Sequence, residues 1–290
     1  MSLQIERTEA TLGAIVTGLD LRNASDSDWN AIKEAFLDAA VLIFPDQHLT
    51  PDEQVDFATH FGELERLTRN PELLAVPISN QKQDGTLLGA EDEHTQILRG
   101  NEGWHTDSSY MPLAAKASAL SAHVIPAEGG NTEWADMRAA YNALDGETRV
   151  QIEKLSAYHS LYYSQAKIGH QASEGGLSGF HTQGAPLRSL VKVHPETGRK
   201  SLFIGRHAYG IPGESEQSSE GILKRLLNAA CRPPHVFSHQ WKVGDLVIWD
   251  NRCVLHRARP YDYQRPRHFV HTRIAGDPRS ELAPTSETHR

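Results

Sequence analysis

The sequence predicts a mainly β protein with a few peripheral helices, arranged as a sandwich or barrel. Two observations support this fold class: short β-type runs bounded by Gly, Pro, Asp or Asn recur along the chain, and amphipathic helical stripes are few. Many short strands with a few flanking helices are typical of sandwiches and barrels. Because no Gly/Ser-rich or charge-block linker interrupts the sequence, we expect one domain over residues 1–290.

The helices are predicted from capping residues followed by apolar stripes. Ser25 with Asp28 begins a helix that ends before the apolar run at 41–44, and Thr50 with Glu53 forms a second capping box. A third stripe starts at Met137 and is interrupted near 145–146, and a fourth occupies 222–230. We interpret these stripes as core faces without chemistry.

The strands are predicted where the apolar pattern shortens. The expected strand ranges are 73–78, 117–125, 189–193, 201–204, 235–241, 246–249 and 268–274. Between the first two lies segment 81–103, which is polar and lacks a clear period. Because a loop this long inside a domain is usually functional, we interpret 81–103 as an active-site lid.

Charge and cysteine content limit which binding partners and which cellular compartment we expect for the protein. Lys and Arg number 29 against 37 Asp and Glu, a net charge of −8, which argues against a nucleic acid or an anionic membrane as partner. No apolar stretch approaches the ~20 residues that span a bilayer, and the first residues lack a signal-peptide pattern. We therefore expect a cytoplasmic protein, in which Cys231 and Cys253 are core thiols.

One short pattern among the 16 histidines points to a metal. On an extended segment His105 and Asp107 face the same side, so an imidazole and a carboxylate can bind one ion. About one such spacing is expected by chance in this composition, so a third ligand from elsewhere is needed. His256, just beyond the apolar run 246–249, is the candidate, and two His with one carboxylate are the donor set of non-haem Fe(II) oxygenases.

Several ordered motifs together resemble the taurine and 2,4-dichlorophenoxyacetate dioxygenase family. They extend over nearly the whole chain: Gly13-Ala14-x-Val16-x-Gly18, His105-x-Asp107, Gly129-Gly130-Asn131-Thr132, Trp249-Asp250-Asn251-Arg252 with His256, Arg267, and Ile274-Ala275-Gly276-Asp277. The resemblance implies a double-stranded β-helix, or jelly roll, that uses Fe(II), 2-oxoglutarate and O2.

The resemblance also implies roles for individual residues. It assigns His105, Asp107 and His256 to the iron, and Thr132 and Arg267 to the distal carboxylate of 2-oxoglutarate. A planar guanidinium suits that carboxylate because it can donate two parallel hydrogen bonds. Two further residues match family positions: Asn101 matches a substrate-pocket position, and Ser108 matches a position whose backbone faces the substrate.

The segment after Arg267 departs from the taurine pattern. Taurine dioxygenases have an arginine where this chain has His271, and the next arginine is Arg273. On a strand Arg267, His271 and Arg273 share one face, so His271 and Arg273 are candidate anchors for a substrate carboxylate. With Gly205-Arg206-His207, this arrangement is more similar to the aryloxyalkanoate dioxygenases, which cleave phenoxypropionates and phenoxyacetates.

The expected reaction is hydroxylation of a small organic acid with release of succinate and CO2. For an aryloxyalkanoate the products would be a phenol and a 2-keto acid, and the apolar wall for the aryl ring would include Ile97, Leu98, Tyr110 and Tyr163. We also expect a homo-oligomer. Three alternatives stay open at this point: a sulfonate dioxygenase of the taurine type, a non-oxidative metal-dependent enzyme with the same ligands, and a silent binding or sensor protein on the same fold.

Overall fold

The architecture is mainly β with helices packed around the sheets, as the sequence predicts. The computed structural model describes residues 2–68, 70, 72–170 and 184–284. Within these residues the strands are β1 (Gln4–Arg7), β2 (Ala14–Thr17), β3 (Val41–Phe44), β4 (Val76–Ser79), β5 (Ala115–Val124), β6 (Thr132–Asp136), β7 (Ser156–His159), β8 (Leu187–Ser189), β9 (Val191–Val193), β10 (Lys200–Leu202), β11 (Ala208–Tyr209), β12 (Val236–His239), β13 (Leu246–Asp250), β14 (Val254–Ala258) and β15 (His268–Ala275).

The helices are short and lie between the strands in the sequence. They are α1 (Asp26–Ala39), α2 (Pro51–Thr59), α3 (Glu93–Gly100), α4 (Met137–Asn142), α5 (Gly146–Ile152), α6 (Leu161–Ala166), α7 (Glu216–Ala230) and α8 (Pro278–Glu281), with a 3-10 turn at Leu21–Asn23. The capping boxes predicted at Ser25 and Thr50 are confirmed, because each side chain accepts the N3 backbone N–H and each N3 carboxylate accepts in return. No helix of the described residues is both long and apolar enough to cross a bilayer.

A seven-stranded sheet and a three-stranded sheet enclose the centre of the molecule. The larger has the strand order β1-β2-β3-β13-β5-β15-β4, antiparallel except between β2 and β3, and the smaller has the order β12-β6-β14. A second three-stranded sheet has the order β11-β7-β8, and β10 pairs with β9. Neither is hydrogen-bonded to the two sheets described above.

Both faces of the larger sheet are buried, which explains the apolar runs of β3 and β13. Leu42 and Ile248 pack with helices α1 and α2 in one core cluster. Ile43 and Val247 point the other way, into a cluster that also contains Trp134 of β6. Because successive side chains of a strand alternate between faces, a strand covered on both sides must be apolar throughout. The two sheets therefore pack face to face.

Segment 81–103 is more regular than its sequence suggests. We expected a loop without periodicity, but the structure contains α3 at Glu93–Gly100, with Thr95, Leu98 and Gly100 as its buried residues. The expectation was wrong at this point because a buried face made of one polar, one apolar and one glycine residue leaves almost no apolar periodicity. α3 places its C-terminal end beside the site described next.

Candidate active site

Three possible metal ligands meet between the two facing sheets. His105 Nε2 is 4.0 Å from Asp107 Oδ1, and His256 Nε2 is 3.9 Å from Asp107 Oδ2. One ligand atom from each residue lies within 4.8 Å of the others, and all three side chains are buried. Two imidazoles and one carboxylate leave the remaining positions of a six-coordinate ion open, which is the donor set of non-haem Fe(II) oxygenases.

Backbone pairing fixes the separation of the two histidines. His105 N donates to His256 O at 3.0 Å, and His256 N donates to His105 O at 2.7 Å, an isolated bridge beside β14. The segment 105–107 is not a strand, because after this bridge the chain turns at Asp107 and Ser108 has φ 52°. The turn, together with the bridge, brings the Asp107 carboxylate next to both rings.

The two imidazoles are neutral and available for a metal. Gly103 O accepts a hydrogen bond from His105 Nδ1 at 2.8 Å, which leaves Nε2 as the unprotonated nitrogen. Burial lowers the pKa of His105 to about 4. Burial and the neighbouring His105 ring hold the pKa of His256 well below its usual range. Neutral imidazoles bind a metal without first releasing a proton.

The Asp107 carboxylate is held by hydrogen bonds and cations. Ser118 Oγ donates to Oδ2 at 2.6 Å, and Arg273 Nη2 is 3.3 Å from Oδ1. Burial by itself raises the pKa of Asp107, but the Arg273 guanidinium outweighs it and keeps the pKa well below the usual value. The carboxylate is therefore ionised at neutral pH.

A cavity of about 200 Å³ opens onto these ligands. Its walls are mostly aliphatic and aromatic, with a few polar groups, as in small-molecule sites. The lining residues are Ile78, Ile97, Leu98, Asn101, His105, Asp107, Tyr110, Leu120, Thr132, Leu161, Gln165, His207, Trp249, His256, Ala258, Tyr261, Tyr263, Arg267, His271 and Arg273.

Arg267 is a buried cation in this cavity that has no acidic partner among the described residues. Its Nε makes no hydrogen bond, and its Nη2 reaches only Gly130 O, at 3.5 Å. The guanidinium lies over the Phe269 ring, 3.9 Å from its centroid, and burial lowers its pKa to about 10. A buried guanidinium in this state is a ready partner for an anionic ligand.

Arg206 is a half-buried arginine beside the cavity and is not one of its lining residues. A Cβ added at Gly100 would lie 2.4 Å from Arg206 Nη1 and 2.9 Å from Gln165 Nε2, so the side chain rests against the end of α3. Its Nη2 has no hydrogen-bond partner, and burial lowers its pKa to about 10. No carboxylate in the described part of the chain lies within ion-pair distance of it. Arg206 was noted in the sequence only as part of a motif.

Comparisons with known proteins identify the family of this chain. The chain is 50% identical over 288 residues to a (S)-phenoxypropionate/alpha-ketoglutarate-dioxygenase of Sphingobium herbicidovorans, covering 97% of this chain and 98% of that protein. Residues 4–273 match the family described as taurine catabolism dioxygenase TauD, TfdA family. The chain belongs to this family.

Other members of the TauD, TfdA family share both sequence and fold with it. A 2,4-dichlorophenoxyacetate dioxygenase of a Burkholderia species is 36% identical, with 99% of each chain covered. The crystal structure of AAD-2 in complex with Mn(II) and N-oxalylglycine superimposes with a TM-score of 0.89 at 37% identity, covering 98% of this chain and all of that one. The family expected from the motifs is confirmed, and the chain is a dioxygenase of the TauD, TfdA family.

Most of the substrate-pocket residues inferred from sequence line the cavity of this dioxygenase. Ile97, Leu98 and Asn101 do so from the end of α3, and Tyr110 does so 4.9 Å from the His207 ring.

Two of the inferred residues lie elsewhere. Tyr163 stacks on Tyr209, with ring centroids 4.5 Å apart, and does not line the cavity. The reason is helical phase: Leu161 and Gln165, four residues apart on α6, face the cavity, and Tyr163 lies between them. Ser108 is not among the lining residues, and its hydroxyl donates to the Glu65 carboxylate, 2.8 and 2.9 Å from its two oxygens; the role inferred for its backbone stays a prediction.

The two inferred substrate anchors on β15 face the cavity but already have partners. His271 Nε2 is 3.6 Å from Asp107 Oδ2. Burial lowers the pKa of His271, so at neutral pH its ring carries no positive charge with which to attract a carboxylate. Arg273 is close to Asp107 and also 3.7 Å from Glu65 Oε1. The predicted strand phase of 267, 271 and 273 holds, because all three line the cavity.

Several wall residues of the cavity were not selected from the sequence. Tyr261 and Tyr263 stack on each other at 4.4 Å in the segment before Arg267, and His207 approaches the His105 ring at 5.8 Å. Two tyrosines at alternating positions, 261 and 263, just upstream of Arg267 were the available signal. Asn80 fixes this segment, accepting from Arg267 N at 2.8 Å and donating to Tyr263 O at 3.0 Å.

A second group of possible metal donors is unsuited to an ion. His194, Asp250 and Cys253 lie within reach of one another. However, His194 Nδ1 accepts backbone N–H groups of Glu196 and Thr197, so Nε2 carries the proton and donates to Asp250 at 3.0 Å. With both nitrogens used, His194 ties the end of β13 to its neighbouring turn.

Proposed function

We propose that this chain is an Fe(II)- and 2-oxoglutarate-dependent dioxygenase that hydroxylates aryloxyalkanoic acids. One observation carries the proposal: an open His, Asp, His cluster shares a mostly apolar cavity with Arg267, a buried guanidinium without an acidic partner among the described residues. Relatives of known activity, named above, act on phenoxypropionate and 2,4-dichlorophenoxyacetate. The non-oxidative alternative gives Arg267 no role, and the intact His, Asp, His cluster together with Arg267 counts against a silent protein.

The donor set fits a ferrous ion held by His105, Asp107 and His256. Both histidines present Nε2 towards the carboxylate, and no thiolate is among the lining residues of the described cavity. When bound, Fe(II) with 2-oxoglutarate supplies the oxidising chemistry that couples decarboxylation to hydroxylation of a C–H bond. Ser118 and Arg273 hold Asp107 in its ionised form, which keeps the third ligand in place.

Arg267 and Thr132 are the proposed anchors for the distal carboxylate of 2-oxoglutarate. Both side chains line the cavity, and a carboxylate would satisfy the unpartnered Nε of Arg267. Asn80 holds the Arg267 backbone in place, so the guanidinium is positioned before the ligand arrives.

The aryl ring and the substrate carboxylate need different parts of the site. Ile97, Leu98 and Leu161 offer an apolar surface for the ring. For the carboxylate, Arg206 is a better candidate than Arg273, because Arg206 has no acidic partner in the described residues and Arg273 has Asp107 and Glu65. This assignment replaces His271 and Arg273 as the primary anchors.

The fold and its surroundings complete the proposal. The two facing sheets support a double-stranded β-helix, and segment 81–103 is proposed as the lid because its residues 97, 98 and 101 line the cavity. The single domain over 1–290, the homo-oligomer, the cytoplasmic location and the lack of a nucleic-acid partner stay predictions.

The test is coupled product formation with a defined substrate panel. Protein loaded anaerobically with Fe(II) receives 2-oxoglutarate, O2 and either enantiomer of phenoxypropionate, phenoxyacetate or taurine, and succinate and phenol are measured. Hydroxylation at the ether carbon gives a hemiketal or hemiacetal that breaks down to phenol and a 2-keto acid. His105→Ala is the matched control and should form neither product.

Three outcomes would change the assignment. Succinate with taurine alone would establish the sulfonate alternative. Turnover without O2 would establish a non-oxidative metal enzyme. If no panel member gives succinate above the His105→Ala background, the proposed function is wrong.

A further inference from the structure

We propose that Trp241 is a positioning residue for 2-oxoglutarate, because its indole N–H directs the Thr132 hydroxyl and its ring supports Arg267 through Phe269. The inference rests on the proposed function and concerns a residue that makes no contact with the cavity. In this proposal the Trp241 side chain aligns both proposed anchors of the 2-oxoglutarate carboxylate, Thr132 and Arg267.

The first contact is a buried hydrogen bond. Trp241 Nε1 donates to Thr132 Oγ1 at 2.9 Å, and the exposed fractions are 5% for Trp241 and 3% for Thr132. An indole N–H can only donate, so the threonine oxygen must be the acceptor. The hydroxyl proton is thereby turned away from the indole, and in the described residues it has no acceptor of its own.

This polarity matters because an ionised carboxylate can only accept hydrogen bonds. Thr132 lines the cavity at the first residue of β6, where it pairs with His239 and Ala258. With the indole occupying one lone pair, the remaining proton of the hydroxyl is free to be donated into the cavity. Without the indole, the hydroxyl proton would sample several orientations in the free protein. Fixing it in one orientation when the ligand binds would cost entropy and so reduce the binding free energy.

The second contact reaches Arg267 through an aromatic ring. Trp241 and Phe269 pack edge to face, with ring centroids 4.9 Å apart and an interplanar angle of 80°, and Arg267 Cζ lies over the Phe269 ring, 3.9 Å from its centroid. Cations prefer the face of an aromatic ring, so Phe269 holds the guanidinium in one plane. Trp241, Phe269 and Gly130 also line a second cavity, of about 240 Å³. The two rings therefore form the wall between that cavity and the anchors.

Direct binding measurements separate this role from general packing. 2-Oxoglutarate is titrated calorimetrically into Mn(II)-loaded protein without substrate, using the wild type, Trp241→Phe, Thr132→Val and the double variant. Phe keeps one aromatic ring at this position but removes the N–H donor together with the second ring of the indole, so the double variant is needed to separate the hydrogen bond from packing. We expect Trp241→Phe to weaken 2-oxoglutarate binding by about 5- to 10-fold, the effect of one hydrogen bond. In the Thr132→Val background the same substitution should change the affinity by less than about twofold.

Pyruvate provides a probe that lacks the distal carboxylate. It keeps the 2-keto acid group, so Trp241→Phe should leave pyruvate binding unchanged. In turnover, KM for 2-oxoglutarate should rise and kcat at saturation should stay within about twofold. Trp29→Phe is the matched control. It also removes a buried indole, but Trp29 stacks on His60 and neither residue lines the cavity, so the substitution should change neither ligand's affinity.

The outcomes distinguish the inference from the proposed function. An equal loss for pyruvate and 2-oxoglutarate, or an undiminished loss in the Thr132→Val background, would show that the indole acts only by packing and overturn the inference. Wild-type protein that fails to bind 2-oxoglutarate would overturn the proposed function itself. Trp241→Tyr, which also lacks the indole N–H, serves in the same cycle if Trp241→Phe does not fold.

Discussion

Nη2 of Arg273 lies 3.3 Å from Oδ1 of Asp107, so a buried guanidinium neutralises a proposed metal ligand. The same guanidinium is 3.7 Å from Glu65 Oε1 and donates from Nη1 to Ser108 Oγ at 3.0 Å. One cation therefore serves two carboxylates. The negative charge that an iron ion would meet is set by this network as well as by the three ligands.

Removing Arg273 should destabilise the metal-free protein strongly. Arg273→Met leaves the buried Asp107 carboxylate and the half-buried Glu65 carboxyl, whose pKa burial already raises, without a cation, and breaking a buried ion pair from one side costs about 3 kcal/mol. The double variant Glu65→Gln/Arg273→Met removes one orphaned charge and should regain at least about 1 kcal/mol. Urea denaturation at pH 7.5 measures both. A double variant no more stable than Arg273→Met would contradict this account of the network.

Arg267 should show the opposite balance between stability and binding. Because it is buried without an acidic partner in the described residues, Arg267→Met removes a desolvated charge and should leave the free energy of unfolding unchanged or higher. The same change should weaken 2-oxoglutarate binding by at least about 30-fold, since a buried charged partner is worth about 2–5 kcal/mol.

A neighbouring arginine supplies the control for Arg267. The side chain of Arg259 is 46% exposed and 3.7 Å from Glu133, so Arg259→Met should alter neither quantity appreciably. Calorimetric titration and urea denaturation of all three proteins decide the matter. A loss of more than about 1 kcal/mol of stability in Arg267→Met would show that the guanidinium has a structural role that the structure does not reveal.

Those parts of the site could be predicted from sequence in which the alternation of side chains along a strand determines which residues face the cavity. Arg267, His271 and Arg273 face one cavity because a strand alternates with period two, and the apolar run of β13 followed from burial on both faces. The partners of these residues could not be predicted, because Glu65 and Arg273 meet only through tertiary packing. Strand phase therefore suggested Arg273 as a substrate anchor, and the structure shows it paired with Asp107 and Glu65.

Short helices were the other source of error. α6 has six residues, too few to show a hydrophobic period, and this is why Tyr163 was placed on the wrong side of it. α3 was missed for a similar reason, since a glycine and a threonine contribute to its buried face. Both helices carry cavity residues, so the least predictable elements are also those that shape the substrate pocket.

His159 should make the protein sensitive to acid. Its ring is fully buried against Phe203 at 5.5 Å, and neither nitrogen has a hydrogen-bond partner in the described part of the chain. Burial lowers its pKa to about 3. The unfolded chain takes up a proton on this residue below about pH 6.5 and the folded chain does so only below about 3, so stability falls with acidification between these values.

The pH effect is isolated by comparing His159→Phe with the wild type. The variant lacks the titrating group, so its stability relative to the wild type should increase by about 2 kcal/mol between pH 7.5 and pH 5. Other buried histidines titrate equally in both proteins and cancel in the difference. Denaturation curves at the two pH values give the result. Identical pH dependences would mean that His159 is protonated in the folded state or solvated by an opening of β7.

Gly100 should control the position of Arg206 and hence the affinity for the substrate. In Gly100→Ala the new Cβ would meet Arg206 Nη1 at 2.4 Å, the mobile end of a side chain, so Arg206 shifts and the backbone stays. Alanine also favours a helix over glycine by about 1 kcal/mol, so stability should not fall. We expect KM for the aryloxyalkanoate to rise severalfold and KM for 2-oxoglutarate to stay constant.

Gly221→Ala in α7, whose Cβ meets nothing within 4 Å, is the matched control and should leave both constants unchanged. A rise in the 2-oxoglutarate constant in place of the substrate constant would move the role of Arg206 from the substrate to the cosubstrate.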